Sequence, residues 1–323
     1  MTRSQKRTFN QLLIFLIILV LMLTIALLVR RRIEAKEAAD SSTSSAQTET
    51  VQSPAATTMA WKNGDTSLSF SLGSDGTWYW DGDEEFPLDN TLFTGLASLL
   101  SPFSPTKTIA SGDTLTAYGL NENSPSMTVG FQDGTQTVLT FGAQVPSGTD
   151  HYMLRSEDPS KVYVMGGNAP QMISSAVYDL MKLPELPVMN TVYSVMLSSN
   201  GNEVLATSTD GSAWQWDGKD ISSNQTLTAL LVRMELAGIA KCENFKPTEA
   251  GLALWGMDAP AVTAQFVYDD EQLLTLQIGN QTLDGSGYYV RMNDDTTIYS
   301  ISAYSLEPIL TAAQNGFVDA AQN

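Results

Sequence analysis

The feature that most constrains the fold is an internal repeat. Gly119 and Gly256 lie 137 residues apart. Other pairs with separations of 136 or 137 residues are Gly64 and Gly201, Trp80 and Trp216, Gly142 and Gly279, Tyr152 and Tyr289, and Tyr163 and Tyr299. Solenoid repeats are only about 20–50 residues long, so this offset indicates duplication of a domain-sized unit. The sequence therefore predicts repeat 1 at residues 58–187 and repeat 2 at residues 188–323.

The clearest part of each repeat is a turn built from an aromatic residue, a glycine, a large aliphatic residue and a later proline. Glycine reaches positive φ without a steric clash, and proline starts a strand without needing to donate a hydrogen bond. The turn carries no nucleophile, base or ligand, so it predicts architecture rather than chemistry. The structural motif comprises Tyr118, Gly119, Pro125, Gly142 and Tyr152 in repeat 1, and Trp255, Gly256, Pro260, Gly279 and Tyr289 in repeat 2.

Each repeat is predicted to open with strands joined by glycine turns and to return to strands after the aromatic turn. The predicted helices are residues 90–100 and 169–181 in repeat 1, and residues 227–237 and 304–315 in repeat 2. In the helix at 227–237, an apolar stripe at helical spacing contains Leu227, Leu230, Leu231, Met234 and Leu236. Since the strands group together and the helices stand apart from them, the predicted class is α+β, with two tandem copies of an antiparallel sheet plus helices.

The start of the chain has a different character. A short tail, residues 1–11, precedes eighteen residues, 12–29, that are apolar except for one threonine. That run is long enough to span a membrane and longer than the apolar core of a secretory signal, so it predicts one uncleaved N-terminal transmembrane helix. Residues 30–57 contain few large apolar side chains and are predicted to be a disordered linker.

Charge and rare residues narrow the function classes. The formal net charge is −18, and residues 41–323 alone hold 10 basic and 32 acidic side chains. Such a surface repels nucleic acid, so no nucleic-acid partner is expected. His151 is the single histidine and Cys242 the single cysteine. Histidine triads, histidine metal clusters and an intramolecular disulfide are therefore excluded, and we expect no catalytic residue, no metal site and no cofactor.

Four tryptophans have two interpretations. Trp78 and Trp80 share one strand face, and Trp214 and Trp216 repeat that spacing in the second copy. Exposed indoles would form a stacking platform for a sugar or peptide, whereas buried indoles would be the floor beneath a helix.

Acidic clusters at residues 81–85, 269–271 and 293–295 match no calcium-loop spacing. The last two coincide with predicted hairpin turns. We interpret all three as solvated acidic segments rather than metal ligands.

The turns at Tyr118-Gly119-Leu120 and Trp255-Gly256-Met257, with their prolines and the strand ends at Gly142 and Gly279, resemble the DUF4340 domain family. The resemblance covers most of residues 58–312. It implies a bacterial envelope protein with a single membrane anchor, sometimes associated with ABC exporters of the gliding-motility type. It also implies that the C-terminal domains are extracytoplasmic, which the nearly balanced charges flanking residues 12–29 do not decide by themselves.

Three functions follow as expectations. The first is a non-enzymatic, single-pass membrane protein that acts by protein–protein contact, as an accessory to a transporter-like complex of the ABC type. The alternative is a binding module for a cell-wall glycan or peptide that uses exposed tryptophans. The third is a carboxylate-based hydrolase, which would need a deep cleft with two facing carboxylates. Burial of the tryptophans separates the first two.

Overall fold

The computed structural model describes residues 54–63, 66–110, 114–146 and 148–318. About 40% of these residues are in strands and 22% in helices, so the fold is mostly β and the predicted α+β class is wrong. One reason is the helix predicted at 169–181, which is only a six-residue α-helix, Ala169–Ser174, followed by a 3₁₀ turn, Val177–Leu180. Ser174 and Ser175 direct their hydroxyls to backbone carbonyls there and compete with the helix.

The predicted transmembrane helix at 12–29 lies outside the described residues, as do the tail at 1–11 and most of the linker at 30–57. Within the described ranges, we find no helix with the length and apolarity needed to cross a bilayer.

The helices and strands have the following bounds. The helices are α1 (Asn90–Leu100), α2 (Ala169–Ser174), α3 (Gln225–Glu235), α4 (Leu252–Trp255) and α5 (Ala303–Asn315). Strands of the first sheet are β1 (Ala56–Asn63), β2 (Thr66–Leu72), β3 (Trp78–Trp80), β4 (Lys107–Ala110), β5 (Ser126–Phe131), β6 (Gln136–Gln144), β7 (His151–Arg155) and β8 (Lys161–Met165). Strands of the second sheet are β9 (Val192–Ser199), β10 (Asn202–Ser208), β11 (Trp214–Trp216), β12 (Lys219–Asp220), β13 (Ile239–Asn244), β14 (Val262–Tyr268), β15 (Gln272–Gln281), β16 (Gly287–Met292) and β17 (Ile298–Ser302).

The two sheets have the same strand order. The first is β3-β2-β1-β5-β6-β7-β8-β4, and the second is β12-β11-β10-β9-β14-β15-β16-β17-β13. Strand β12 is an addition at one edge, and every other strand has a counterpart. The described residues form two compact units. The first unit comprises residues 54–56 and 97–167, and the second comprises residues 57–96 and 168–318. The repeat bounds given above stay a prediction.

The second unit contains a core beneath the second sheet. Helices α3 and α5 contact each other, and α5 also contacts β9, β10, β14, β16 and β17. Asn224 caps α3 because its side chain accepts a hydrogen bond from Leu227 N at 2.9 Å, while its amide nitrogen donates to Phe317 O at 3.1 Å. The buried side chains of the two helices include Leu227, Leu230, Met234, Leu306, Ile309, Ala312 and Ala313.

The first unit has its own apolar centre. Phe103 packs edge-on against Tyr163, with ring centroids 5.1 Å apart, and the guanidinium carbon of Arg155 lies 4.4 Å from the Phe103 ring centroid. Met127 on β5 and Met153 on β7 are fully buried. Methionine suits such a core because its flexible thioether fills irregular gaps around rings.

Candidate interaction surface

The predicted structural motif forms one tight cluster in each unit. In the second unit, α4 ends at Gly256, which has φ 70° and caps the helix in the left-handed conformation. The Trp255 ring meets Tyr289 edge-on, with centroids 4.7 Å apart at 85°. Pro260 precedes β14, which begins at Val262. These residues join a helix end to two strands of the sheet.

A β-bulge lies under this turn. Ile278 pairs with Val290 and Gln281 pairs with Tyr288, so two residues of β15, Gly279 and Asn280, face one residue of β16. A Cβ on Gly279 would overlap the carbonyl oxygen of Trp255. Glycine is required there because the turn backbone rests directly on the bulge.

The first unit repeats the arrangement in detail. Gly119 has φ 69°, and Tyr118 meets Tyr152 with ring centroids 4.9 Å apart. The register of β6 and β7 shifts between Phe141 and Gln144, so Gly142 also lies in a bulge opposite Tyr152. A Cβ on Gly142 would overlap the Tyr118 carbonyl oxygen. Pro125 lies just before β5 and accepts a hydrogen bond from Phe141 N at 2.8 Å. In both clusters the turn rests on a bulged strand of the sheet.

The four tryptophans of the candidate ligand platform lie against other side chains. Trp78 and Trp214 are 2% and 3% exposed, so their faces are closed to any ligand. Trp80 packs edge-on against Phe86 and Trp216 edge-on against Phe317, with centroids 5.5 and 6.0 Å apart. Trp80 and Trp216 are half-buried. Neither of these two pairs therefore forms the flat exposed surface that a stacked sugar requires.

The acidic clusters are engaged in local contacts. Lys246 Nζ lies 2.6 Å from Asp83 and 2.7 Å from Glu85. Asp269 accepts a hydrogen bond from Thr191 N at 2.8 Å, which lowers the pKa of the Asp269 carboxyl. Asp295 accepts one from the Tyr299 hydroxyl at 2.7 Å. Among the residues described, no group of three histidine, cysteine, aspartate or glutamate side chains is placed to hold a metal ion.

Cys242 is expected to resist thiol reagents in the folded protein. Its side chain is fully buried, and burial raises the pKa of the thiol to about 12. Because the nucleophilic species is the thiolate, the thiol stays protonated and unreactive at pH 8. Labelling with a chromogenic disulfide reagent should be negligible without denaturant and complete in denaturant. Rapid stoichiometric labelling of the native chain would contradict this prediction.

An exposed cluster at one end of the second unit was not found by sequence reasoning. Leu236 follows α3 directly and is 78% exposed, and Tyr304 on α5 is 68% exposed. Leu236 lies one helical turn after Arg233, which contacts Tyr304. We call this surface the α3–α5 face and define it as Val232, Arg233, Leu236, Tyr304 and Glu307.

Arg233 organises the α3–α5 face. Its Nη1 donates to Tyr304 O and to a Glu307 carboxylate oxygen, both at 2.8 Å. The guanidinium carbon lies 4.1 Å from the centroid of the Tyr304 ring. The Glu307 carboxylate raises the pKa of Arg233, so the guanidinium is charged at every physiological pH. The exposed Tyr304 ring is therefore held in place by a cation–π contact.

An open groove runs beside this face along α5. Its volume is about 380 Å³. It is lined by Tyr288, Ala303, Tyr304, Glu307, Leu310, Thr311 and Gln314. Most of these residues belong to a single helix, so the groove is one-sided and suits a segment of another protein better than an enclosed small molecule.

One residue of the face was misinterpreted from the sequence. Leu236 was placed on the apolar stripe of the helix predicted at 227–237, but α3 ends at Glu235 and Leu236 points away from the core. The spacing could have shown this. Leu236 is six residues from Leu230, which places it on a different face of the helix from the buried residues Leu227, Leu230 and Met234.

Comparison with known proteins shows the family. A family model described as a domain of unknown function, DUF4340, matches the chain at residues 78–220 and again at residues 222–321. No curated protein and no solved structure matches. The two matched segments cover most of the chain, including both aromatic turns. The chain belongs to the DUF4340 family.

Proposed function

We propose that this protein is non-enzymatic and acts by binding another protein through the α3–α5 face. The observation that supports the proposal is the exposed Tyr304 ring, which is held by Arg233. The exposed Leu236 lies one helical turn after Arg233. Tyrosine and arginine are, with tryptophan, the side chains enriched at energetic centres of protein interfaces.

The membrane part of the proposal is supported by sequence alone. Residues 12–29 are apolar over a length that matches the hydrocarbon core of a bilayer. We place the repeats on the extracytoplasmic side of a bacterial envelope, held at a short distance from the membrane. The support is family resemblance, together with the rule that long domains translocate largely regardless of charge.

The partner in this proposal is a membrane-embedded, transporter-like complex of the ABC type. Family resemblance supports that identity. A tethered domain near the bilayer meets other membrane proteins at high effective concentration, which favours this class of partner over a soluble one.

Site-specific photocross-linking tests the docking role. A photoreactive phenylalanine at Tyr304 in the full chain is expected to form an adduct with a membrane-protein subunit in native membranes. Leu205 is the matched control, since it is 49% exposed on β10 and lies outside the face. Leu236→Asp should abolish the adduct formed from position 304, because it replaces an exposed apolar side chain of the face by a charge.

Two results would overturn the proposal. One is the absence of any protein adduct from position 304 in membranes where the chain is correctly inserted. The other is equal adduct formation from positions 304 and 205, which would mean random collision. Recovery of cell-wall glycan alone at position 304 would favour a glycan-binding role.

A further inference from the structure

We infer that Asn200 is a site of spontaneous covalent modification, at which the side chain loses its amide through attack by the backbone nitrogen of Gly201. The inference does not depend on the proposed function. It is carried by the contrast between the turn that joins β9 to β10 and a second Asn-Gly pair, Asn315-Gly316, at the end of α5. Of a third pair, Asn63-Gly64, the glycine lies outside the described residues.

The reaction needs only water. The Gly201 nitrogen gives its proton to hydroxide and attacks Cγ of Asn200, so that a new C–N bond forms, the bond from Cγ to the side-chain nitrogen breaks, and ammonia leaves with a proton from water. Water then opens the five-membered succinimide ring at either carbonyl carbon, which leaves aspartate or isoaspartate. The product carries one more negative charge, and nothing is oxidised or reduced. Glycine favours the attack because no Cβ shields its nitrogen.

The Asn200-Gly201 turn leaves both reacting groups accessible. Ser199 pairs with Asn202, so these two residues alone join the strands, and their φ values of 50° and 79° are those of a type I′ turn. Both residues are exposed, and no heavy atom lies within 4 Å of a Cβ built on Gly201. Within the described residues, neither the Asn200 side-chain amide nor Gly201 N makes a hydrogen bond. The turn can therefore rotate to bring the nitrogen to Cγ without breaking a packed contact.

The Asn315-Gly316 pair has the same chemistry but is held in place. Helix α5 ends at Asn315, and Gly316 N donates a hydrogen bond to Ala312 O at 2.8 Å. Gly316 is buried, and a Cβ built on it would overlap the Trp216 indole. Attack by this nitrogen has to wait for local opening of the helix end, which costs free energy. The structure thus separates two identical dipeptides into a reactive one and a protected one.

Isotope labelling of the full chain tests the inference. The purified protein is incubated at mildly alkaline pH in water labelled with heavy oxygen, digested with trypsin in ordinary water, and analysed by mass spectrometry that locates the label within each peptide. Label is expected at residue 200 at least about tenfold faster than at residue 315. The rate at residue 200 should rise with pH, because the attacking nitrogen has to lose its proton.

The same incubation in denaturant supplies the reference rates. Both asparagines precede glycine, so the unfolded chain should react at similar rates at the two positions. Asn200→Gln should remove the label at position 200 and leave position 315 unchanged, since glutamine would have to close a larger ring. Comparable rates at residues 200 and 315 in the native chain would overturn the inference. So would a native rate at residue 200 that is more than about tenfold below its rate in denaturant, because the turn would then be protected.

Discussion

Valine at Gly256 is expected to lower the free energy of unfolding by roughly 2–6 kcal/mol, which is enough to unfold many domains of ordinary stability. Two costs combine. Gly256 has φ 70°, which a β-branched residue resists, and a Cβ there would lie 2.7 Å from Asn280 N in the bulge of β15. Denaturant unfolding of the full chain, followed by tryptophan fluorescence, measures the change.

Gly201 provides the control for the Gly256 prediction. It has φ 79° and no heavy atom within 4 Å of its Cβ position. Gly201→Val therefore tests the backbone cost alone, about 1–3 kcal/mol, and the additional loss at Gly256 measures the close approach of turn and bulge. His151→Ala should cost less than about 1 kcal/mol, since the hydrogen bond between its Nδ1 and Gly142 O is long, at 3.4 Å. Equal losses at 256 and 201 would mean that the turn does not rest on the bulge.

Trp214→Ala is expected to cost about 3–5 kcal/mol of stability. The indole is 3% exposed, and its Nε1 donates to Gly211 O at 3.1 Å. The substitution would leave a cavity and an unpaired carbonyl next to the core of the second unit. Denaturant unfolding of the variant measures the loss in free energy of unfolding. It is carried out at low temperature if the variant does not fold at room temperature.

Leu205→Ala is the comparison for Trp214→Ala. Leu205 lies on β10, the strand whose Ser208 pairs with Trp214. In contrast to Trp214, the Leu205 side chain is half exposed. Its truncation should cost less than about 1 kcal/mol. If Trp214→Ala were as mild as Leu205→Ala while abolishing capture of a wall glycan, the indole would be a ligand contact and the structural interpretation would be wrong.

The duplication could be predicted because it leaves identical residue types at a constant separation. Gly119 and Gly256 do adopt the same left-handed conformation, at φ 69° and 70°. The bulges under them were not predicted, because a two-against-one register between strands depends on pairing that no single strand encodes. At Gly142 and Gly279 the reason for glycine, contact with a turn carbonyl, appears only in three dimensions.

Fold class was harder to predict than the repeat. The segment at 169–181 has helical composition, yet its serines satisfy backbone carbonyls and end α2 at Ser174. The α3–α5 face was missed for a related reason. Tyr304 and Arg233 are 71 residues apart in sequence, and only the packing of α5 against α3 brings the guanidinium onto the ring. Periodicity identifies what a helix buries, but it does not show which exposed residues of two helices meet.

The hold of Arg233 on Tyr304 has a kinetic consequence for any complex made at this face. A tyrosine that is free to rotate loses rotamer freedom when a partner immobilises it. This loss costs about 0.5–1.5 kcal/mol of binding free energy for each such side chain. Here the ring is already fixed by the guanidinium, which in turn is fixed by Glu307 and the Tyr304 carbonyl. That entropy is lost during folding, before any encounter occurs. Among variants of such an interface, differences in affinity arise mainly in the dissociation rate. Loosening the ring by Arg233→Met would therefore shorten the residence time of the partner and leave the rate of association almost unchanged.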